Sequence, residues 1–199
     1  MSEVVRRHLD LGCGSKPRNP YNCAELYGVD IRDGLSAPGV VRIVAANLSL
    51  QPIPFADGYF DSVSAYDFLE HLPRVAIDYA KAETHFPFVE LMNEVFRVLK
   101  PGGTFYAVTP AYPHAKAFCD PTHVNFISKK SHEYFTAPDL SGRMYGFTGN
   151  FSLVRNKRIH FRRRAYEPLK MSISGSAQYF VDRLLGKQSH LVWEFRASK

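Results

Sequence analysis

At 199 residues with 45% hydrophobic side chains, the chain is long enough to bury one good core, and a single domain over 1–199 is the simplest expectation. The formal net charge of +6 admits phosphate-bearing partners without demanding them. No stretch approaches the ~20 apolar residues that cross a bilayer, and the N-terminal residues lack the apolar core of a signal peptide. Cys13, Cys23 and Cys119 form neither a disulfide framework nor a close CxxC pair, so a reducing, cytoplasmic location is expected.

In chain order, Val4 to Leu11 reads as an apolar strand followed by the turn Gly12-Cys13-Gly14. Leu26 to Asp30 is a second strand, the β-branched run Val40 to Val44 a third, and Asp61 to Tyr66 a fourth. Phe88, Met92, Val95, Phe96 and Leu99 recur at helical spacing, and Pro101-Gly102-Gly103 ends that helix. Thr104 to Thr109 follows as a fifth strand, with Phe151 to Phe161 and Leu191 to Ala197 as the sixth and seventh. Alternation of this kind predicts an α/β fold, a parallel sheet with helical crossovers.

The glycine turn and Asp30 carry the first functional signal. Glycine lets a ligand lie against the main chain, and in open α/β sheets nucleotide-like ligands bind beyond the first strand. An acid about 20 residues further on commonly accepts hydrogen bonds from ribose hydroxyls. Pro17 stands where a third glycine would complete G-x-G-x-x-G, and Lys16 to Pro20 cannot open a helix easily. A nucleoside without a pyrophosphate therefore fits better than a dinucleotide.

His8-Leu9-Asp10-Leu11-Gly12-Cys13-Gly14 resembles motif I of the class I S-adenosylmethionine-dependent methyltransferases. Gly28-Val29-Asp30 resembles their ribose-binding motif, and Pro54 to Val63 their approach to the fourth strand. Leu69-Glu70-His71-Leu72 and Glu94 to Gly103 follow in the family's order, over about residues 4 to 110. The resemblance implies a three-layer Rossmann-like fold with seven strands in the order 3-2-1-4-5-7-6, the last antiparallel. It implies a cofactor-binding half over about 1–110 and substrate-side loops and strands over about 111–199. Asp10, Gly12, Cys13 and Gly14 would surround the methionine part of S-adenosylmethionine. Asp30 would hold the ribose, and Ile31 would pack on adenine. Asn47, with Leu48 beside it, replaces the usual acid at the adenine amino group; its amide oxygen accepts the same bond. Tyr66, Asp67 and His71 would border the sulfonium.

The run Asp120-Pro121-Thr122-His123-Val124-Asn125 resembles a motif of a bacterial subgroup associated with surface-polysaccharide genes. O-methylation of a small-molecule or carbohydrate acceptor is the leading reading, ahead of N-methylation. Attack by a hydroxyl requires proton removal, and histidine's ordinary pKa of about 6.5 suits that work. His123 is thus the candidate base, Asp120 its orienting carboxylate, and His71 a further catalytic candidate. No metal is expected, because a sulfonium leaving group is already activated. His71, His114, Asp120 and His123 are nonetheless ligand types for a divalent ion should the fold bring them together.

Residues 155–164 carry six basic side chains in ten positions and no acid. RNA methylation through this segment is the competing reading. A cofactor-binding partner protein without turnover is the third. The insert at 73–88, the loop at 110–150 and the segment 165–190 are expected to cover the site.

Overall fold

A computed structural model describes residues 5–160 and 173–199, the side chain of Ile173 excepted. Seven strands form the main sheet: β1 (Arg7–Leu11), β2 (Glu25–Asp30), β3 (Arg42–Ala45), β4 (Phe60–Tyr66), β7 (Leu99–Pro110), β8 (Phe151–Ile159) and β9 (His190–Ala197). Their order is β3-β2-β1-β4-β7-β9-β8. The first five in that order are parallel, and β9 runs antiparallel to both neighbours. A small antiparallel hairpin, β5 (Ala76–Asp78) and β6 (Glu83–His85), lies outside the sheet and accounts for the 73–88 insert. Setting the hairpin aside, the order is the expected 3-2-1-4-5-7-6.

The side-chain period of two sorts the sheet into unlike faces. Leu9, Leu11, Val63, Ala65, Phe105, Ala107, Trp193 and Phe195 share one core cluster with Leu91, Met92, Val95 and Val98 of helix α1 (Pro87–Val98). The opposite face is polar at its centre: His8, Asp10, Ser62, Ser64 and Tyr106 come into register across β1, β4 and β7. Tyr21 and Cys23 cover this face from the loop after β1, with Cys23 Sγ 3.5 Å from Ser62 Oγ. Helix α2 (Ile173–Leu184) meets it through Tyr179, whose ring lies 3.8 Å from Lys157 Nζ.

The crossovers differ from expectation. Among the described residues, α1 and α2 are the sole α-helices, and the connections 12–24, 31–41 and 46–59 are turns and extended chain. Each contains proline (Pro17 and Pro20, Pro38, Pro52 and Pro54), which withholds an amide and restricts the preceding residue. None of the described helices is long and apolar enough to cross a membrane.

Candidate active site

The carboxyl ends of β1, β2 and β4 open onto a cavity of about 350 Å³ lined by Gly12, Asp30, Ile31, Arg32, Asn47, Leu48, Phe68 and His71, among others. The strands end where they do because Gly12 and Gly14 adopt φ of +62° and +59°, which turns the chain sharply. A Cβ on Gly12 would stand 2.5 Å from the Phe68 ring, so the close approach excludes any larger residue. Asp30 ties the turn to β2: its Oδ2 accepts from the Gly14 amide at 2.7 Å and its Oδ1 from Arg32 Nε at 2.8 Å. Burial acts to raise the Asp30 carboxyl, but the Arg32 guanidinium and the two amides outweigh it and hold it below the usual range.

Six of the expected cofactor-side residues or their catalytic neighbours meet in this cavity: Gly12, Asp30, Ile31, Asn47, Leu48 and His71. Ile31 is 67% exposed at the rim, an apolar surface without a cover. Asn47 Oδ1 accepts from the Ser49 amide at 3.1 Å and keeps a second lone pair. Cys13 packs between the turn and β2, where a Cβ on Gly28 would meet its sulfur at 2.6 Å. Burial, then Asp10 and Asp30, pushes its thiol up to about 12, which disfavours the thiolate.

Asp10, Tyr66 and Asp67 stand apart from the lining. Asp10 is 1% exposed; it accepts from the Arg18 amide at 2.8 Å and from Ser64 Oγ at 2.6 Å. It thereby holds the 12–24 loop closed, and burial raises its carboxyl to about 7. Tyr66 is buried beneath Arg18, whose guanidinium lies 4.4 Å from the ring centroid. Asp67 adopts φ +47°, a left-handed conformation rare outside glycine.

The substrate-side loop docks on the 3₁₀ turn Leu69–His71. The Val124 and Asn125 amides donate to the Glu70 carbonyl at 2.8 and 3.0 Å, and Asn125 Nδ2 donates to the carbonyls of Leu69 and Leu72. His71 and His123 consequently stack edge to face with centroids 4.8 Å apart. The expected pairing of Asp120 with His123 is replaced. Asp120 Oδ1 accepts from Thr122 Oγ1 at 2.6 Å, and Thr122 Oγ1 lies 2.9 Å from His71 Nδ1. The carboxylate beside His123 is instead Glu70, with Oε1 3.9 Å from Nε2. Burial raises Glu70 to about 8 and lowers His71, the latter helped by His123. His114 does not join them; its Nδ1 accepts from the Lys116 amide at 3.1 Å. Sequence reasoning gave Phe68, Glu70 and Asn125 no role. The adjacency of Glu70 to His71 was the one visible signal.

The described part of the basic segment has internal partners. Arg155 pairs with Glu194 at 2.6 Å, Lys157 lies over Tyr179, and Arg158 donates to the Tyr112 carbonyl. Residues 161–164 lie outside the described residues, as do 165–172 of the segment expected to help cover the site. No residue of the 73–88 insert is among those lining the cavity.

A mostly parallel sheet in this order, with a glycine turn after β1 and an acid closing β2, is the class I methyltransferase fold. Residues 9–107 match the family model described as a methyltransferase domain. No curated protein matches the sequence. Solved structures share the fold at low identity. A chain of the complex between the Haloferax volcanii Trm112 methyltransferase activator and a protein described as a methyltransferase aligns at TM-score 0.59. It is 16% identical, over 99% of this chain and 84% of that one. A SAM-dependent methyltransferase from Archaeoglobus fulgidus aligns at 0.54 and 15% identity, over 96% of this chain and 86% of that one. The [4+2]-cyclase SpnF aligns at 0.54 and 18% identity, over 96% and 74% respectively, so the shared fold does not by itself fix the reaction.

Proposed function

We propose that the protein binds S-adenosylmethionine in the cavity at the ends of β1, β2 and β4, and transfers its methyl group to an oxygen of a small-molecule or carbohydrate acceptor. The observation that carries this is the convergence of Gly12, Asp30, Ile31, Asn47 and His71 on one cavity. Asp30 supplies the ribose acceptor once Arg32 moves aside, exposed Ile31 the adenine contact, and Asn47 the acceptor for the adenine amine. When bound, the cofactor supplies an activated methyl group. As an acceptor hydroxyl took up that methyl group, its proton would pass to the His71–His123 pair. His71 lines the cavity, and Thr122 with Asp120 behind it sets its tautomer, which makes Asp120 a positioning residue. Alignment of oxygen and methyl supplies much of the rate.

The RNA reading is weaker, because Arg155, Lys157 and Arg158 are engaged within the protein. Calorimetric titration with S-adenosylmethionine and S-adenosylhomocysteine, with NAD as control, tests the proposal. Micromolar binding of the first two alone supports it, and no binding of either overturns it. Binding without turnover across a glycan and small-molecule acceptor screen would instead leave a cofactor-binding partner protein.

A further inference from the structure

The cluster of Glu70, His71 and His123 has a hydrogen-bonding pattern that proton transfer does not require. Each residue offers one ligand-type atom, and the three atoms lie within 4.8 Å of one another. His123 Nδ1 is 3.2 Å from the Ala117 carbonyl, which can only accept, so the neutral ring carries its proton on Nδ1 and leaves the Nε2 lone pair bare. Thr122 Oγ1 gives its hydrogen to Asp120, so it can only accept from His71 Nδ1, and the His71 Nε2 lone pair is bare as well. Glu70 is 1% exposed; its Oε2 accepts from Thr109 Oγ1 at 3.0 Å, while Oε1 is buried without a hydrogen-bond partner among the described residues. Two imidazole nitrogens and a carboxyl oxygen thus lie together, with no hydrogen bond between them among the described residues.

We propose that Glu70, His71 and His123 form a binding site for a divalent first-row transition ion of the Zn²⁺ type. Two imidazoles and a carboxylate suit such ions, whereas Mg²⁺ and Ca²⁺ take all-oxygen sets. Both histidines offer their Nδ1–H to a protein acceptor, as metal-bound imidazoles usually do. Ligand bonds of about 2.0–2.2 Å at the tetrahedral angle set two donors about 3.3–3.6 Å apart. Glu70 Oε1 and His123 Nε2 are 3.9 Å apart, a few tenths of an ångström wider than that. His71, partly exposed on its 3₁₀ turn, offers the third ligand, its atom within 4.8 Å of the other two. Three protein ligands leave a coordination position open, and His71 places the site beside the cofactor cavity.

The proposal rests on the cluster's geometry and not on methyl transfer. With the ion bound, both imidazoles are ligands rather than bases. The test therefore reads binding without turnover. The chelator-treated full chain is titrated with Zn²⁺ by calorimetry and with Co²⁺ by visible absorption. One saturable equivalent is expected, with a Co²⁺ band typical of nitrogen and oxygen ligands and a Zn²⁺-dependent rise in melting temperature. His71→Ala and Glu70→Gln should each weaken binding at least tenfold and abolish the melting shift. If Glu70→Gln fails to fold by circular dichroism, partly exposed His71→Ala carries the comparison alone. No saturable binding, or affinity unchanged in His71→Ala, overturns the proposal.

Discussion

His8 and Asp10 hang on the same hydroxyl. Ser64 Oγ donates to Asp10 Oδ1 at 2.6 Å, so His8 Nε2, 2.8 Å from that oxygen, must donate to it. His8 Nδ1 then accepts from Ser62 Oγ at 2.7 Å. The chain Ser62–His8–Ser64–Asp10 satisfies four buried polar side chains on the face opposite α1 and fixes His8 as neutral. A buried network of this kind is costly to leave half-made.

The two shared partners should oppose each other in acid. Burial lowers His8 to about 3, so its stabilisation is present above the ordinary value of 6.5 and is lost as pH falls toward 3. Burial raises Asp10 to about 7, so its stabilisation is present below 3.8 and is lost as pH rises through 7. Each slope approaches about 1.4 kcal/mol per pH unit, and the two overlap with opposite sign between roughly pH 4 and 6.5. Between them the two groups should add little net pH dependence across that window. Relative to the wild type, Asp10→Asn should lose stability as pH falls, and His8→Gln should gain it. Urea denaturation at each pH measures this; parallel curves for all three proteins would rule the opposition out.

Gly12→Ala should destabilise the protein by about 2–4 kcal/mol. A positive φ costs an alanine roughly 1–2 kcal/mol, and the new methyl would sit 2.5 Å from Phe68. Adding Phe68→Ala removes the clash and leaves the backbone cost. The double variant should therefore be more stable than the sum of the two single changes predicts. Strict additivity in denaturant titrations would show that the ring, not the backbone, yields freely.

The strands were legible because apolar residues recur in them at period two, and Leu9, Val63 and Phe105 sit where the pattern placed them. The cavity was legible for a different reason: glycines at positive φ and an acid closing β2 are local features with one geometric use. The crossovers were overread. Parallel strands imply helices between them, but the prolines at 17, 20, 38, 52 and 54 bar helices from connections already short. The Asp120–His123 pairing failed because sequence proximity says nothing of which residue a third one, here Thr122, will turn toward. Glu70 stood within the quoted Leu69–Leu72 motif without a role, because nothing in sequence tells that its carboxyl is buried beside His123.

Asn125 fastens the substrate-side loop to the Leu69–His71 turn, so its removal should separate docking from cofactor binding. Asn125→Ala leaves the Leu69 and Leu72 carbonyls without this donor and should cost about 1–3 kcal/mol. Asn125→Asp should cost more, since a carboxylate cannot donate and repels both oxygens. Turnover should fall in both variants while affinity for S-adenosylmethionine stays within about threefold, Asn125 itself not lining the cavity. Equal losses of turnover and affinity would place this loop in the cofactor site itself.

Asp30 and Arg32 make the last prediction. Every acceptor position of the Asp30 carboxylate is filled: Oδ1 by the Arg32 amide at 3.1 Å and Nε at 2.8 Å, Oδ2 by the Gly14 amide at 2.7 Å and Arg32 Nη2 at 3.3 Å. A ribose can reach Asp30 only by displacing the guanidinium. The Arg32 side chain is 61% exposed, so water screens the pair and the displacement is cheap. Asp30→Ala should weaken S-adenosylmethionine binding at least about tenfold, near the 1.5–3 kcal/mol of a charge-assisted hydrogen bond. Arg32→Ala should instead tighten it, up to about fivefold, by freeing the carboxylate. Calorimetry on the two variants distinguishes competitor from ligand: a loss of affinity in Arg32→Ala would mean that the guanidinium itself holds the cofactor.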